Sequence, residues 1–399
     1  MLSKRALNIK SSPTLALVAK AKELQALGHN VISLTVGEPD WPTYKVASDA
    51  GINAIQTNFT KYTPANGTLE LRKAIASRTE ADLGLTYSPV KEVAVTSGAK
   101  FAIYTALQVL CDPQDEVIIH SPYWVSYPVM AELAGGTPKI VHCKEQDNFK
   151  ISAERLEQAI TPKTKVFLFC SPSNPTGFVY TKDELKKIGD VLKKHPRIAI
   201  ISDDIYNRLM LDGTKVAPHL LQETPELKER TVLINGGSKA YSMTGWRIGW
   251  AMGPEKVIKA LADYASQSTG APSSIAQAAA EKALLNAEPD IKNTIELLKT
   301  RLEKASKKLS EIKDMKIYKP EGAFYLWINI EKFLGRKYKG EVVQSSAHFG
   351  KIYLEDYYVA TVPGEEFGEP GFLRLSFATE TAKFDEAVER MKKFIGALV

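Results

Sequence analysis

A chain whose apolar residues come in short runs, separated by stretches of helical period, has few ways to bury them except as central strands of a sheet covered by helices. The runs are Val93-Ala94-Val95, Val117-Ile118-Ile119, Val166-Phe167-Leu168-Phe169, Ile198-Ala199-Ile200-Ile201, Val232-Leu233-Ile234 and Ile248-Gly249-Trp250-Ala251. Each is too short for a helix, and their Val, Ile and Phe content predicts buried parallel strands. Patterns such as Leu185-Lys186-Lys187-Ile188 to Leu192 predict helices between them. At 399 residues, with 44% apolar and 25% charged, the chain is longer than one core usually serves and ordinary in globular composition. Two packed units are expected, neither of them disordered.

The pattern changes at Ile291. Ile295, Leu298, Leu302, Ala305, Leu309 and Ile312 recur at alternating spacings of three and four, one face of a long amphipathic helix. The expected division is a large α/β domain over 46–290 and a smaller α+β domain over 291–399 with strands at 323–328 and 372–377. The N-terminal segment 1–45 is expected to pack with the smaller domain.

Ligands of open α/β sheets bind beyond the carboxyl ends of the strands. After the runs stand Thr96-Ser97-Gly98-Ala99-Lys100, Ser121-Pro122-Tyr123-Trp124, Ser171-Pro172-Ser173-Asn174-Pro175-Thr176-Gly177, Ser202-Asp203-Asp204-Ile205-Tyr206 and Gly236-Gly237-Ser238-Lys239. These supply an amine, a carboxylate, a phenol and an anion cradle, the parts that a carbonyl cofactor with a protonatable ring and a phosphate tail requires. Lys239 can condense with an aldehyde, Asp203 can keep a ring nitrogen protonated, and Ser97-Gly98-Ala99 open a helix whose free N–H groups favour phosphate. Taken singly, most have a plainer reading: Lys239 as a solvated turn residue, Asp203 as a helix cap, Asn174-Pro175 as a turn, Trp124 as packing, Tyr62 as an exposed loop aromatic. Arg374 is harder to dismiss. An arginine between Leu373 and Leu375 in a strand is a costly buried charge unless an anion meets it.

Several motifs in one order resemble the pyridoxal-phosphate (PLP) aminotransferases of class I, fold type I, in the branch of bacterial-type aspartate and plant-type prephenate/aspartate enzymes. They are Gly37-Glu38-Pro39-Asp40, Pro122-Tyr123-Trp124-Val125-Ser126-Tyr127, Ser173-Asn174-Pro175-Thr176-Gly177, and Ser238-Lys239 followed by Met243-Thr244-Gly245-Trp246-Arg247. The likeness runs from about Lys4 to the C-terminal helix. It implies the PLP transferase fold type I: a mostly parallel sheet flanked by helices, and a smaller α+β domain. It also implies Lys239 as the lysine that binds the cofactor aldehyde and later carries the substrate proton. Asp203 would face the pyridinium nitrogen, Asn174 and Tyr206 would donate to the ring hydroxyl oxygen, and Trp124 would stack on the ring. Ser97, Gly98, the backbone N–H groups of Ala99 and Lys100, Ser238, Arg247, and Tyr62 from a neighbouring subunit would hold the phosphate. Arg374 would grip the substrate α-carboxylate, with Gly37 allowing close backbone approach. Lys100 would meet a distal carboxylate, and Thr14 matches a threonine of the relatives that accept prephenate. The sequence departs from the family pattern at Gly236, where many relatives carry Ser or Thr, and at Asp204, where Glu is commoner.

The resulting expectation is a homodimeric, cytoplasmic aminotransferase with shared active sites, moving the amino group between L-aspartate or another acidic amino acid and 2-oxoglutarate, possibly prephenate. The same scaffold also serves aromatic or broad-range aminotransferases, β-lyases and aminocyclopropane-carboxylate synthases. A PLP-sensing regulator without turnover would be expected to carry an added DNA-binding module. Against a nucleic-acid partner, 52 Lys+Arg balance 46 Asp+Glu to a net charge of +6 with no basic arm. Cys111, Cys143 and Cys170 are too scattered for a disulfide framework, and the six histidines show no metal-ligand spacing. No run approaches the roughly 18 apolar residues of a membrane span, and the N-terminal residues have no secretory apolar region.

Overall fold

The computed structural model describes residues 1–3, 7, 13–35 and 37–399, apart from the side chains of residues 13–16 and 18. Seven strands form the main sheet: β1 (Val93–Thr96), β2 (Glu116–Ser121), β3 (Thr137–His142), β4 (Thr164–Cys170), β5 (Ala199–Asp203), β6 (Thr231–Gly236) and β7 (Gly249–Met252). Their order is β1-β7-β6-β5-β4-β2-β3. The central strands are buried on both faces, which is why they read as continuous apolar runs. Helices Ala99–Leu110 and Lys182–Lys194 follow β1 and β4 and turn buried apolar faces to the core. This is an α/β fold with a mixed sheet.

Two strand expectations need correction. The run at 248–251, expected to be parallel, is β7 and pairs antiparallel with both β1 and β6. A strand buried on both faces carries no mark of its direction, and the short return from β6 contains no crossover helix to reverse the chain. The edge strand β3 is absent from the strands expected on sequence. Its residues are half-buried or exposed, so Thr137-Pro138-Lys139-Ile140-Val141-His142 lacks an apolar run.

The direction of β7 decides which residues meet at the sheet edge. Thr96 and Gly236 both pair with Gly249, Cys170 with Asp203, and Asp203 with Ile234. The carboxyl ends of β1, β4, β5 and β6 therefore lie at one edge of the sheet. Because β7 runs the other way, its amino end lies there too, and Arg247 arrives beside them.

A second sheet is wholly antiparallel: β8 (Lys316–Tyr318), β9 (Tyr325–Asn329), β10 (Val362–Pro363) and β11 (Phe372–Ser376), in the order β10-β11-β9-β8. The helix Glu288–Leu309 precedes it and buries Ile291, Leu298, Leu302, Ala305 and Leu309. The N-terminal chain adds a short parallel pair, Ile32 with Val359 and Ser33 with Ala360, and Leu34 accepts a hydrogen bond from Ser376 N–H. Asp40 forms a two-point ion pair with Arg301 of the long helix, at 2.7 and 3.0 Å. The N-terminal chain is thus held against the C-terminal part at both 32–34 and Asp40.

Candidate active site

The edge of the main sheet opens into a cavity of about 250 Å³ whose lining includes Gly37, Ala99, Lys100, Trp124, Asn174, Asp203, Tyr206, Ser238, Lys239, Arg247 and Arg374, all candidates on sequence grounds. They come from separate stretches of chain and meet because the strand ends are level.

Asp203 ends β5 and is buried. Its Oδ2 accepts from Tyr127 Oη at 2.6 Å and its Oδ1 from Ile205 N–H at 3.2 Å. Removal from water nevertheless dominates, and its pKa rises from 3.8 to about 6. The neighbouring Asp204 points elsewhere: its Oδ1 accepts from Ser202 Oγ at 2.7 Å, and its Oδ2 lies 3.3 Å from His219 Nε2. The family departure at 204 therefore leaves the cavity's carboxylate in place.

Lys239 Nζ donates to Gly37 O at 2.5 Å and lies 5.9 Å from the Tyr206 ring centre. Burial of the ammonium, reinforced by the positive charge of Arg374, lowers its pKa from 10.5 to about 8. An amine so depressed is a far better nucleophile and base near neutrality than a solvated lysine. The departure at Gly236 also has a steric reason, since a Cβ there would come within 2.9 Å of Ile248 O.

Arg374, in β11, is 3% exposed. One terminal nitrogen donates to Asn174 Oδ1 at 2.9 Å, the other to Thr35 O, and Nε has no partner. Both acceptors are neutral, and among the described residues no carboxylate pairs with this guanidinium. Burial of an arginine without a counter-ion is costly, so the site is built to receive an anion.

The cradle sits at the start of helix Ala99–Leu110, where the first N–H groups have no intrahelical acceptor. Gly98, at φ 93°, is required twice over: a Cβ would strain that conformation and would lie 2.6 Å from Arg247 Nη2. Gly249 lets the helix start close on the sheet, for a Cβ there would lie 2.3 Å from Ala99 N. Ser97 lies beside this cavity, on an adjoining groove that also includes Arg247. Lys100 Nζ stands 4.8 Å over the Trp124 ring, and burial of its amine with the charge of Arg247 lowers its pKa.

Tyr62 is not brought to the cavity by this chain alone. Tyr62 is fully exposed. Thr14 falls in helix Pro13–Ala26, and its side chain lies outside the described residues. Conversely, Tyr127 and Tyr325 carry no expected role on sequence grounds, yet both line the cavity. Tyr127 belongs to the motif 122–127, three residues after Trp124, and that spacing was its signal. Tyr325 is embedded in the apolar run 323–328, where an aromatic reads as core.

The donor set fits a phosphate-bearing aldehyde with a basic ring nitrogen: a buried carboxylate that makes no direct ion pair among the described residues, a depressed lysine, and an N-terminal helix cradle opposed by Arg247. Comparison with known proteins gives the same answer independently. The family model for aminotransferase class I and II matches residues 29–391. An aspartate aminotransferase of Geobacillus stearothermophilus is 46% identical over 396 residues, covering 99% of both chains. An aspartate/prephenate aminotransferase of Nitrosomonas europaea is 43% identical over 396 residues, again covering 99% of both. The crystal structure of the aspartate aminotransferase from Rhizobium meliloti superimposes with a TM-score of 0.96 at 38% identity, covering 100% of both chains.

Proposed function

The chain belongs to the class I and II aminotransferase family and is a PLP-dependent aminotransferase, and on that premise we propose that it acts on acidic amino acids, with L-aspartate and glutamate and their 2-oxo acids first and prephenate as a further acceptor. When bound, PLP supplies an electrophilic aldehyde carbon and a protonated pyridine ring that accepts electron density released at the substrate's α-carbon. The protein's residues do the rest. Asp203 would hold the ring nitrogen and keep it protonated, since an opposite charge in a buried site favours the protonated base. Tyr206 and Asn174 would donate hydrogen bonds to the ring oxygen, Trp124 would stack on the ring, and the cradle at Ser97, Gly98, Ala99, Lys100, Ser238 and Arg247 would hold the phosphate. Arg374 binds the substrate α-carboxylate through its two-point fork, beside Asn174 and Gly37. Lys239, held at the Gly37 carbonyl and largely neutral above pH 8, removes the α-proton and returns it.

The observation that carries the acidic-substrate reading is Lys100, an exposed residue that lines the same cavity with its ammonium over the Trp124 ring. Relatives whose names specify aspartate, and aspartate with prephenate, support it. A charge-assisted contact contributes about 1.5–3 kcal/mol, so Lys100→Ala is expected to lower kcat/KM for aspartate by about one to two powers of ten and to change it much less for alanine or phenylalanine. Spectral half-reactions across a panel of amino acids measure this, and an equal fall for charged and uncharged substrates would return Lys100 to the cofactor shell alone.

We read the active unit as a homodimer. Ile52, Ile55 and Phe59 are exposed apolar residues close in sequence to Tyr62, an arrangement suited to a second copy of the chain. In that dimer Tyr62 completes the partner's phosphate cradle. Two inactive variants, Tyr62→Ala and Lys239→Ala, are expected to regain part of the wild-type activity when co-refolded, because one hybrid site then holds both native residues. Demonstrated heterodimers without recovered activity would refute the sharing. The long helix Glu288–Leu309 supports a boundary between large and small domains near residue 290.

A further inference from the structure

Tyr325 stands where the substrate-carboxylate and cofactor ends of the site meet. Its hydroxyl is 2.8 Å from Tyr206 Oη, and its ring centre lies 4.3 Å from the Arg374 guanidinium carbon. The hydroxyl also faces Gly37, where a Cβ would come within 2.3 Å of it. Gly37 O in turn holds Lys239 Nζ. Strand pairing explains the juxtaposition: Tyr325 and Trp327 project from one face of β9, and Trp327 pairs with Arg374 of β11, so the tyrosine ring falls under the guanidinium.

We propose that Tyr325 is a positioning residue that couples the two ends of the site, orienting the Tyr206 hydroxyl with its own O–H while its ring supports Arg374. The proposal rests on the aminotransferase reading, in which Tyr206 serves the cofactor ring oxygen. A phenol has one proton. For Tyr206 to donate toward the ring oxygen, it must accept at the 2.8 Å contact, and Tyr325 must be the donor. Donors in series polarise one another, so the Tyr325 O–H strengthens the bond that Tyr206 makes. The ring contact is separable from the hydroxyl contact, as a cation over an aromatic face needs no hydroxyl. Burial raises the pKa of both phenols, with Arg374 opposing the rise at Tyr325, so both remain protonated donors across the working range.

The two roles predict different losses. In the holoenzyme, Tyr325→Phe keeps the ring and removes the donor. The absorbance titration of the lysine-bound cofactor is expected to shift upward, by at most about 0.4–1 pH unit, the full worth of the one hydrogen bond from Tyr206 that Tyr325 orients. Its kcat should fall while KM for the amino acid stays within about twofold. Tyr325→Leu removes the ring as well and is expected to raise that KM by a further factor of about 2 to 5 through loss of the guanidinium contact. The double variant Tyr206→Phe/Tyr325→Phe decides whether the hydroxyl acts through Tyr206: the spectral shift from Tyr325→Phe should vanish in the Tyr206→Phe background. An unshifted titration in Tyr325→Phe, or a shift that persists unchanged in the double variant, overturns the proposal. Failure of the aminotransferase reading is distinct, because the wild-type protein would then show no amino-acid-dependent change in the cofactor spectrum.

Discussion

Lys239→Ala is expected to lower steady-state transamination by on the order of 10⁴-fold or more while the fold survives. In the proposed mechanism the residue supplies both the amine that condenses with the cofactor aldehyde and the base that moves the α-proton, so its loss removes both functions at once. The purified variant should retain no cofactor after borohydride reduction and denaturation. Wild-type protein should retain it on Lys239, and covalent cofactor on another lysine would overturn the assignment. The lowered pKa adds a sign. A neutral amine is the nucleophile, so the rate at which cofactor-free protein takes up PLP should rise with pH and level off above about 8. A solvated lysine would keep rising toward 10.5.

Asp203→Ala should be nearly as damaging. On the proposed placement, loss of the carboxylate would leave the ring nitrogen without an opposite charge to hold its proton, and an unprotonated ring draws electrons from the α-carbon poorly. A drop of on the order of 10²–10⁴-fold in α-proton exchange is expected, together with weakened cofactor binding. Near-normal exchange would remove the electrostatic role. A second consequence concerns the cofactor-free protein. Because burial raises the folded-state pKa of Asp203 from 3.8 to about 6, the folded form holds a proton there that the unfolded chain has already lost. Stability should therefore fall as pH rises from about 4 to about 6, and Asp203→Asn should flatten that stretch of the pH profile in chemical denaturation. PLP binding should offset the penalty by placing a cation in direct contact with the buried carboxylate.

What the sequence alone determined was the local part of this site. Short apolar runs identify strands because a doubly buried strand must be apolar throughout, and the polar residues that come after them identify the sheet edge at which ligands bind. Lys239, Asp203, Tyr206, Asn174 and the turn at Ser97-Gly98-Ala99 were legible for that reason: each lies within a few residues of a strand end. Arg374 was legible by contrast, as a charge inside an apolar run. The tertiary structure alone decided the rest, because it depends on contacts between residues distant in the chain. The antiparallel course of β7 delivers Arg247 to the edge, yet a strand buried on both faces reads the same in either direction. Tyr325 looks like core in the sequence; only the pairing of β9 with β11 sets its ring under Arg374, and only the meeting of the two sheets sets its hydroxyl against Tyr206. The displaced pKa values of Lys239 and Asp203 come from desolvation, which measures how much of the folded chain surrounds a group and is written in no single stretch of residues.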